Sequence, residues 1–152
     1  MNDLDVLYSE RPAAVAGAFY DATPDVLRRN IEAYLAAISD VGPAPKAIVV
    51  PHAGLIYSGG VAAAAYARLR VAKASVHRVV LIGPSHRVGF RGVAVPSANS
   101  FATPIGSVRI DDALRRQVLS HGAVITSDRA HQREHSLEVQ LPFLQSVLTD
   151  FS

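Results

Sequence analysis

The sequence contains no cysteine and no tryptophan, and only one methionine. The lack of cysteine excludes disulfides, thiolate metal ligation and a thiol nucleophile within these 152 residues. No uninterrupted apolar run approaches the ~20 residues that a membrane-spanning helix needs. The acidic start, Met1-Asn2-Asp3-Leu4-Asp5, lacks the basic segment and apolar core of a secretory signal. A soluble, cytoplasmic protein without a membrane partner is therefore expected. An excess of one charge is lacking too. Lys+Arg at 15 against Asp+Glu at 13 leaves a net charge of +2, and the basic residues are scattered, which speaks against a nucleic-acid partner. Neither an internal repeat nor a low-complexity tract is found.

What is present is apolar. The hydrophobic fraction of 49% is on the high side for a soluble domain. The length suits one domain over 1–152 with its own core, and is tight for two. Residues 1–22 read as irregular. Thr23-Pro24-Asp25 reads as a helix start, and Leu27, Ile31, Tyr34, Leu35 and Ile38 follow at the spacing of one helical face. Gly42-Pro43 stops that helix. An alanine-rich helix is predicted over Val61–Arg70. Asp111 is placed as the cap of a helix carrying Leu114 and Val118. A last helix holds Leu137, Leu141, Leu144 and Leu148, with Pro142 either kinking it or marking its effective start.

Between the helices lie short apolar runs. Lys46–Val50 and Arg78–Ile82 read as buried strands, Gly92–Val95 as a third, and Ala123–Thr126 as another, with a brief extended piece at Val108–Ile110. Strands alternating with helices predict an α/β fold, with a mostly parallel sheet flanked by helices.

The first two runs end alike, in Pro51-His52-Ala53-Gly54 and Gly83-Pro84-Ser85-His86. Ligands of open parallel sheets bind beyond the carboxyl ends of the strands. His52 and His86 are separated by about one strand–helix–strand unit, which puts them on one sheet edge as candidate metal ligands. Arg133-Glu134-His135-Ser136-Leu137-Glu138 opens the last predicted helix. From it, Glu134, His135 and Glu138 are candidates for a third ligand, a general base or an acceptor that orients an imidazole, with His135 and Glu138 as the catalytic candidates. His131-Gln132-Arg133-Glu134-His135 also fits the inverted zinc-protease pattern, an alternative in which a zinc hydrolase uses His131, Glu134 and His135. A further alternative is a non-catalytic cleft for a peptide or anion, with Arg87 and Arg91 beside His86. Tyr20 and Tyr57 are candidates for lining a pocket.

Five segments occur in register with a known family. Ala16-Gly17-Ala18-Phe19-Tyr20, Pro51-His52-Ala53-Gly54, Tyr57-Ser58-Gly59, Gly83-Pro84-Ser85-His86 and Glu134-His135-Ser136-Leu137-Glu138 resemble motifs of the Memo family, whose bacterial members are called AmmeMemoRadiSam system protein B. Phe101–Gly106 and Leu141-Pro142-Phe143-Leu144 extend the resemblance, which covers Arg11 to Leu148. It implies a fold similar to the class III extradiol ring-cleaving dioxygenases, with a non-haem divalent metal (Fe, Zn or Cu) and dioxygenase-like redox activity on a small-molecule or peptide ligand. By the resemblance, His52 and His86 match two metal ligands, and His135 a histidine near the same cleft. Animal members are linked to redox chemistry and to phosphotyrosine peptides. Family members continue with further strands and a third ligand, often a cysteine. This chain thus reads as truncated after the N-terminal portion, with an open apolar sheet edge that self-association would cover.

Overall fold

The computed structural model describes residues 9–39 and 42–152; the acidic stretch Met1–Asp5 lies outside them. Ten elements follow in order: β1 (Glu10–Arg11), α1 (Pro24–Ala36), α2 (Leu55–Tyr66), β2 (Val93–Val95), β3 (Ser100–Thr103), β4 (Gly106–Arg109), α3 (Asp112–Leu119), β5 (Val124–Thr126), α4 (Asp128–Gln132) and α5 (Leu141–Val147). A 3₁₀ stretch, Ala67–Ala72, extends α2, and a second, Glu138–Gln140, leads into α5.

The first helix forms where its pattern places it. Pro24 and Asp25 occupy its first turn, and Leu27, Ile31 and Leu35 are its buried face. Thr23 holds the N-cap position without a side-chain cap bond, and Asp21 accepts a hydrogen bond from its N–H at 2.7 Å. The second helix starts at Leu55, earlier than the alanine run suggests, and carries Gly59 in its interior. A Cβ on Gly59 would lie 2.7 Å from the Tyr34 ring, so the close approach of α1 and α2 requires glycine there. α5 completes this helical layer. Its Phe143 ring stacks on Tyr66 with centroids 4.9 Å apart and planes 3° from parallel. Leu27, Ile31, Tyr66, Phe143, Leu144 and Val147 form the centre of the main core.

The strands form two small sheets rather than one. β1 pairs parallel with β3, and β3 pairs antiparallel with β4; separately, β2 pairs parallel with β5. Neither β1 nor β3 is legible in the sequence as a strand, whereas β2 and β5 fall within the predicted runs. Asp111 caps α3 as predicted, its Oδ1 accepting from the Leu114 N–H at 2.9 Å.

Two expectations need correction. Among the described residues, Arg78–Ile82 and Lys46–Val50 are not buried ladder strands, because no strand pairs with most of their length. Both runs alternate in burial in the manner of strands. Ile48, Val50, Val79 and Leu81 pack on the core, while Val49 (99% exposed), Val80 (68%) and Ile82 (85%) face outward. One parallel bridge touches the second run: Ser152 N–H donates to the His77 carbonyl at 3.1 Å, and Val79 N–H donates to the Ser152 carbonyl at 3.0 Å. The last predicted helix also starts late. Arg133–Leu137 is irregular, and Pro142 sits in the first turn of α5, where its missing N–H costs no hydrogen bond.

Among the described residues, no helix is long and apolar enough to cross a membrane.

Candidate metal centre

His52 and His86 each sit on the turn that ends one of the extended runs. The Pro51-His52-Ala53-Gly54 turn runs straight into α2; Ser58 Oγ donates to the Ala53 carbonyl at 3.0 Å, and Leu55 N–H to the Phe19 carbonyl at 2.8 Å. The Gly83–His86 turn is closed by Ser85 Oγ donating to the Val88 carbonyl at 2.8 Å. Both turns are then held by a single segment, Glu134–Gln140. Gln140 Nε2 donates to the Pro51 carbonyl at 3.1 Å, and Ser136 Oγ donates to the Pro84 carbonyl at 2.8 Å. Tyr66 fixes Gln140 in turn, its hydroxyl donating to Oε1 at 2.8 Å.

That segment supplies the third imidazole. One potential ligand atom from each of His52, His86 and His135 lies within 4.8 Å of the other two. Ring centroids are 4.6 Å apart for His86 and His135, 5.2 Å for His52 and His86, and 5.8 Å for His52 and His135. The Phe19 ring closes one side, 4.5 Å from His135. His52 and His135 are half-buried and His86 is exposed, so the cluster opens to solvent on one side.

Glu134 organises the cluster. Its carboxylate accepts from His86 N–H at 2.6 Å, from His135 N–H at 2.8 Å and from Ser136 N–H at 2.9 Å, and lies 2.9 Å from His86 Nδ1. His135 Nδ1 is 3.3 Å from the same carboxylate. Burial opposes ionisation of Glu134, but the hydrogen bonds from His86, Ser136 and His135 outweigh it and hold the carboxyl down at about 2. An ionised carboxylate only accepts, so His86 Nδ1 is the donor, which in the neutral ring leaves Nε2 with its lone pair. Carboxylate–histidine–metal relays use this arrangement. Burial lowers the His135 pKa below the usual histidine value against the opposing pull of Glu134, which favours the neutral ring, the form that ligates metal.

Glycine is required where the His86 turn meets the Glu134–Gln140 segment. A Cβ on Gly83 would lie 2.9 Å from Ser136 Oγ and 3.0 Å from Leu137 Cδ2. Gly83→Ala is thus expected to displace the His86 turn and weaken metal binding roughly 10-fold or more, the scale of losing one outer-sphere contact. Wild-type affinity in a chelator-competition assay on the variant would refute this.

Glu138 does not belong to the cleft. It is fully buried, with its carboxylate paired to Arg11 and accepting from Ala14 N–H at 2.8 Å, Val15 N–H at 3.0 Å and Tyr20 O–H at 2.5 Å. Having no accessible surface, it cannot meet a ligand, and the expectation of a catalytic role gives way to a structural one. Tyr20 is buried in the core, its phenol pushed up by burial and by Glu138, and, as expected, it also lines a groove. Tyr57 is exposed.

The inverted zinc-protease pattern is not formed. α4 ends at Gln132, so His131 and His135 share no helical face. His131 is buried, with Nε2 spent on the Ala94 carbonyl at 3.1 Å and its ring edge-on to Phe101 at 6.0 Å. Arg87 and Arg91 are exposed. A groove of about 770 Å³ runs between Gly17–Ala22, α1 and the start of α2. It shares Phe19 with the cluster, but none of the three histidines lines it.

The His52 and His86 turns and the Glu134–Gln140 segment meet in one place, and the chain was compared with known proteins. The model of the Memo-like protein family matches residues 11–152. The chain belongs to the Memo family. A MEMO1 family protein of Aquifex aeolicus is 41% identical over 135 residues, covering 89% of this chain and 49% of the relative. One from Sulfolobus acidocaldarius is 39% identical over 150 residues, covering 89% of this chain and 52% of the relative. One from Ignicoccus hospitalis is 41% identical over 151 residues, with 92% and 53% covered. The chain thus spans about half the length of the Memo-family relatives it matches. Sequence reasoning missed one residue that shapes this region, Arg11, which reads as an ordinary charge before a proline.

Proposed function

We propose that the protein binds a divalent transition-metal ion through His52, His86 and His135, as a non-haem metalloprotein with dioxygenase-like redox chemistry. The observation that supports this is the convergence of three imidazoles, one of them oriented by an ionised carboxylate. Three neutral nitrogen ligands suit Fe, Cu or Zn rather than Mg or Ca, whose preferred donors are oxygens. A bound ion would supply a Lewis acid with open coordination positions, or a one-electron couple.

The chain's own residues bind and orient. Glu134 fixes the His86 tautomer, Phe19 shields His135 from water on one side, and Gln140 and Ser136 keep the two turns in register. His135 is neutral and half-buried, so it is the group able to accept a proton from a ligand should it not ligate the metal itself.

Titration of the metal-free protein with Co(II) tests the reading. A saturable visible absorption band at one equivalent is expected, abolished by excess Zn(II) or chelator. The absence of any saturable Co(II), Zn(II) or Cu(II) binding at micromolar concentrations would remove the metal from the proposal.

A further inference from the structure

Arg11 is only 3% exposed and lies beneath the segment that carries His135. Its guanidinium faces three acceptors on one stretch of chain. Nε donates to the His131 carbonyl at 3.0 Å, Nη2 to the same carbonyl at 2.7 Å and to the Glu134 carbonyl at 2.5 Å, and Nη1 is paired with Glu138. The back of the guanidinium lies over the Phe101 ring at 4.8 Å, on the strand paired to its own.

The segment it contacts has little order of its own. Arg133–Leu137 belongs to neither helix nor strand. Its backbone bonds include Arg133 N–H and Glu134 N–H to His131 O, Val139 N–H to His135 O at 3.1 Å and Gln140 N–H to Leu137 O at 3.1 Å, while His135 N–H and Ser136 N–H turn to the Glu134 carboxylate. The Glu134 carbonyl accepts from Arg11 Nη2. An irregular segment keeps one path only when side chains anchor its free backbone groups. Here the anchored residue, Glu134, holds the His86 ring with its side chain and adjoins His135 in sequence.

We propose that Arg11 is a positioning residue of the histidine cluster: its guanidinium fork, bridging the His131 and Glu134 carbonyls to the Glu138 carboxylate, sets the path of Arg133–Leu137 and so places His135 and the Glu134 carboxylate that holds His86. This rests on the metal reading for its function. Lysine cannot replace the fork, because a single ammonium cannot reach three acceptors in one plane.

Two variants test it. Arg11→Lys keeps a charge beside Glu138 and loses the fork. Arg11→Gln/Glu138→Gln removes both buried charges and keeps the volume, a change that is often tolerated when the two partners go together. In either variant that melts cooperatively, Co(II) affinity is expected to fall at least 10-fold, with a changed d–d absorption band that reports altered ligand geometry. In the metal-free protein, the imidazole ¹⁵N shifts are expected to show His86 losing its fixed Nδ1–H tautomer. A folded variant with wild-type tautomer and wild-type cobalt spectrum would overturn the positioning role. Should wild type bind no cobalt, the metal reading fails by itself, and the ¹⁵N shifts still decide the role of Arg11.

Discussion

Replacing Glu138 by alanine is expected to lower the melting temperature by about 6 to 20 °C. The substitution removes a fully buried carboxylate and leaves the Arg11 guanidinium inside without its counter-charge. Breaking a buried pair in this one-sided way costs roughly 3–5 kcal/mol. Each kcal/mol corresponds to about 2–4 °C in a domain of this size. Three further donors lose their acceptor at the same time: the backbone N–H groups of Ala14 and Val15 and the Tyr20 hydroxyl. Glu138→Gln retains an acceptor for some of these donors, so its loss should be smaller. Thermal unfolding of the two variants beside wild type would settle the order; an alanine variant as stable as wild type would show that the carboxylate does not hold the N-terminal segment.

Alanine at His52, His86 or His135 is expected to reduce metal affinity by more than the roughly 10–100-fold that loss of an outer-sphere partner costs. Each ring is one of three candidate ligands, and two imidazoles are too few for an open three-ligand site. Equal losses for all three variants would mark one three-histidine site. His77 is the control, since its exposed ring lies outside the histidine cluster with Nδ1 at 2.9 Å from the Asp150 carbonyl, and His77→Ala should bind as wild type does. An unchanged affinity in His135→Ala would remove that residue from the ligand set and leave it the acid–base role alone. Competition against a chromophoric chelator gives the affinities directly.

Much of the helical layer was legible because helix periodicity is local. Leu27, Ile31 and Leu35 announce the buried face of α1, and Asp111 announces its cap. The two turns bearing His52 and His86 were legible for the same reason, as abrupt Pro and Gly signals after apolar runs. Ladder pairing was not. Lys46–Val50 and Arg78–Ile82 have strand composition and strand alternation, but a strand is completed only by a neighbour, which lies elsewhere in the sequence or outside it. The end of α4 at Gln132 was hidden as well, because Glu134 spends its side chain on distant His86 and draws Arg133–Leu137 out of helical path. Buried charge was the least visible signal. Arg11 and Glu138 lie 127 positions apart, and in isolation each resembles any surface residue.

The bridge between Ser152 and the His77–Val79 backbone has a directional consequence. Its two hydrogen bonds already commit the Arg78 end of the run to a chain travelling the same way. Two copies related by a twofold axis would meet edge to edge with their strands opposed, and at that end such a pairing must first break both bonds. The outward Val80 and Ile82 side chains can attract any apolar surface, whereas the backbone beside Ser152 selects by polarity. Stickiness and selectivity are thus assigned to different atoms of the same run.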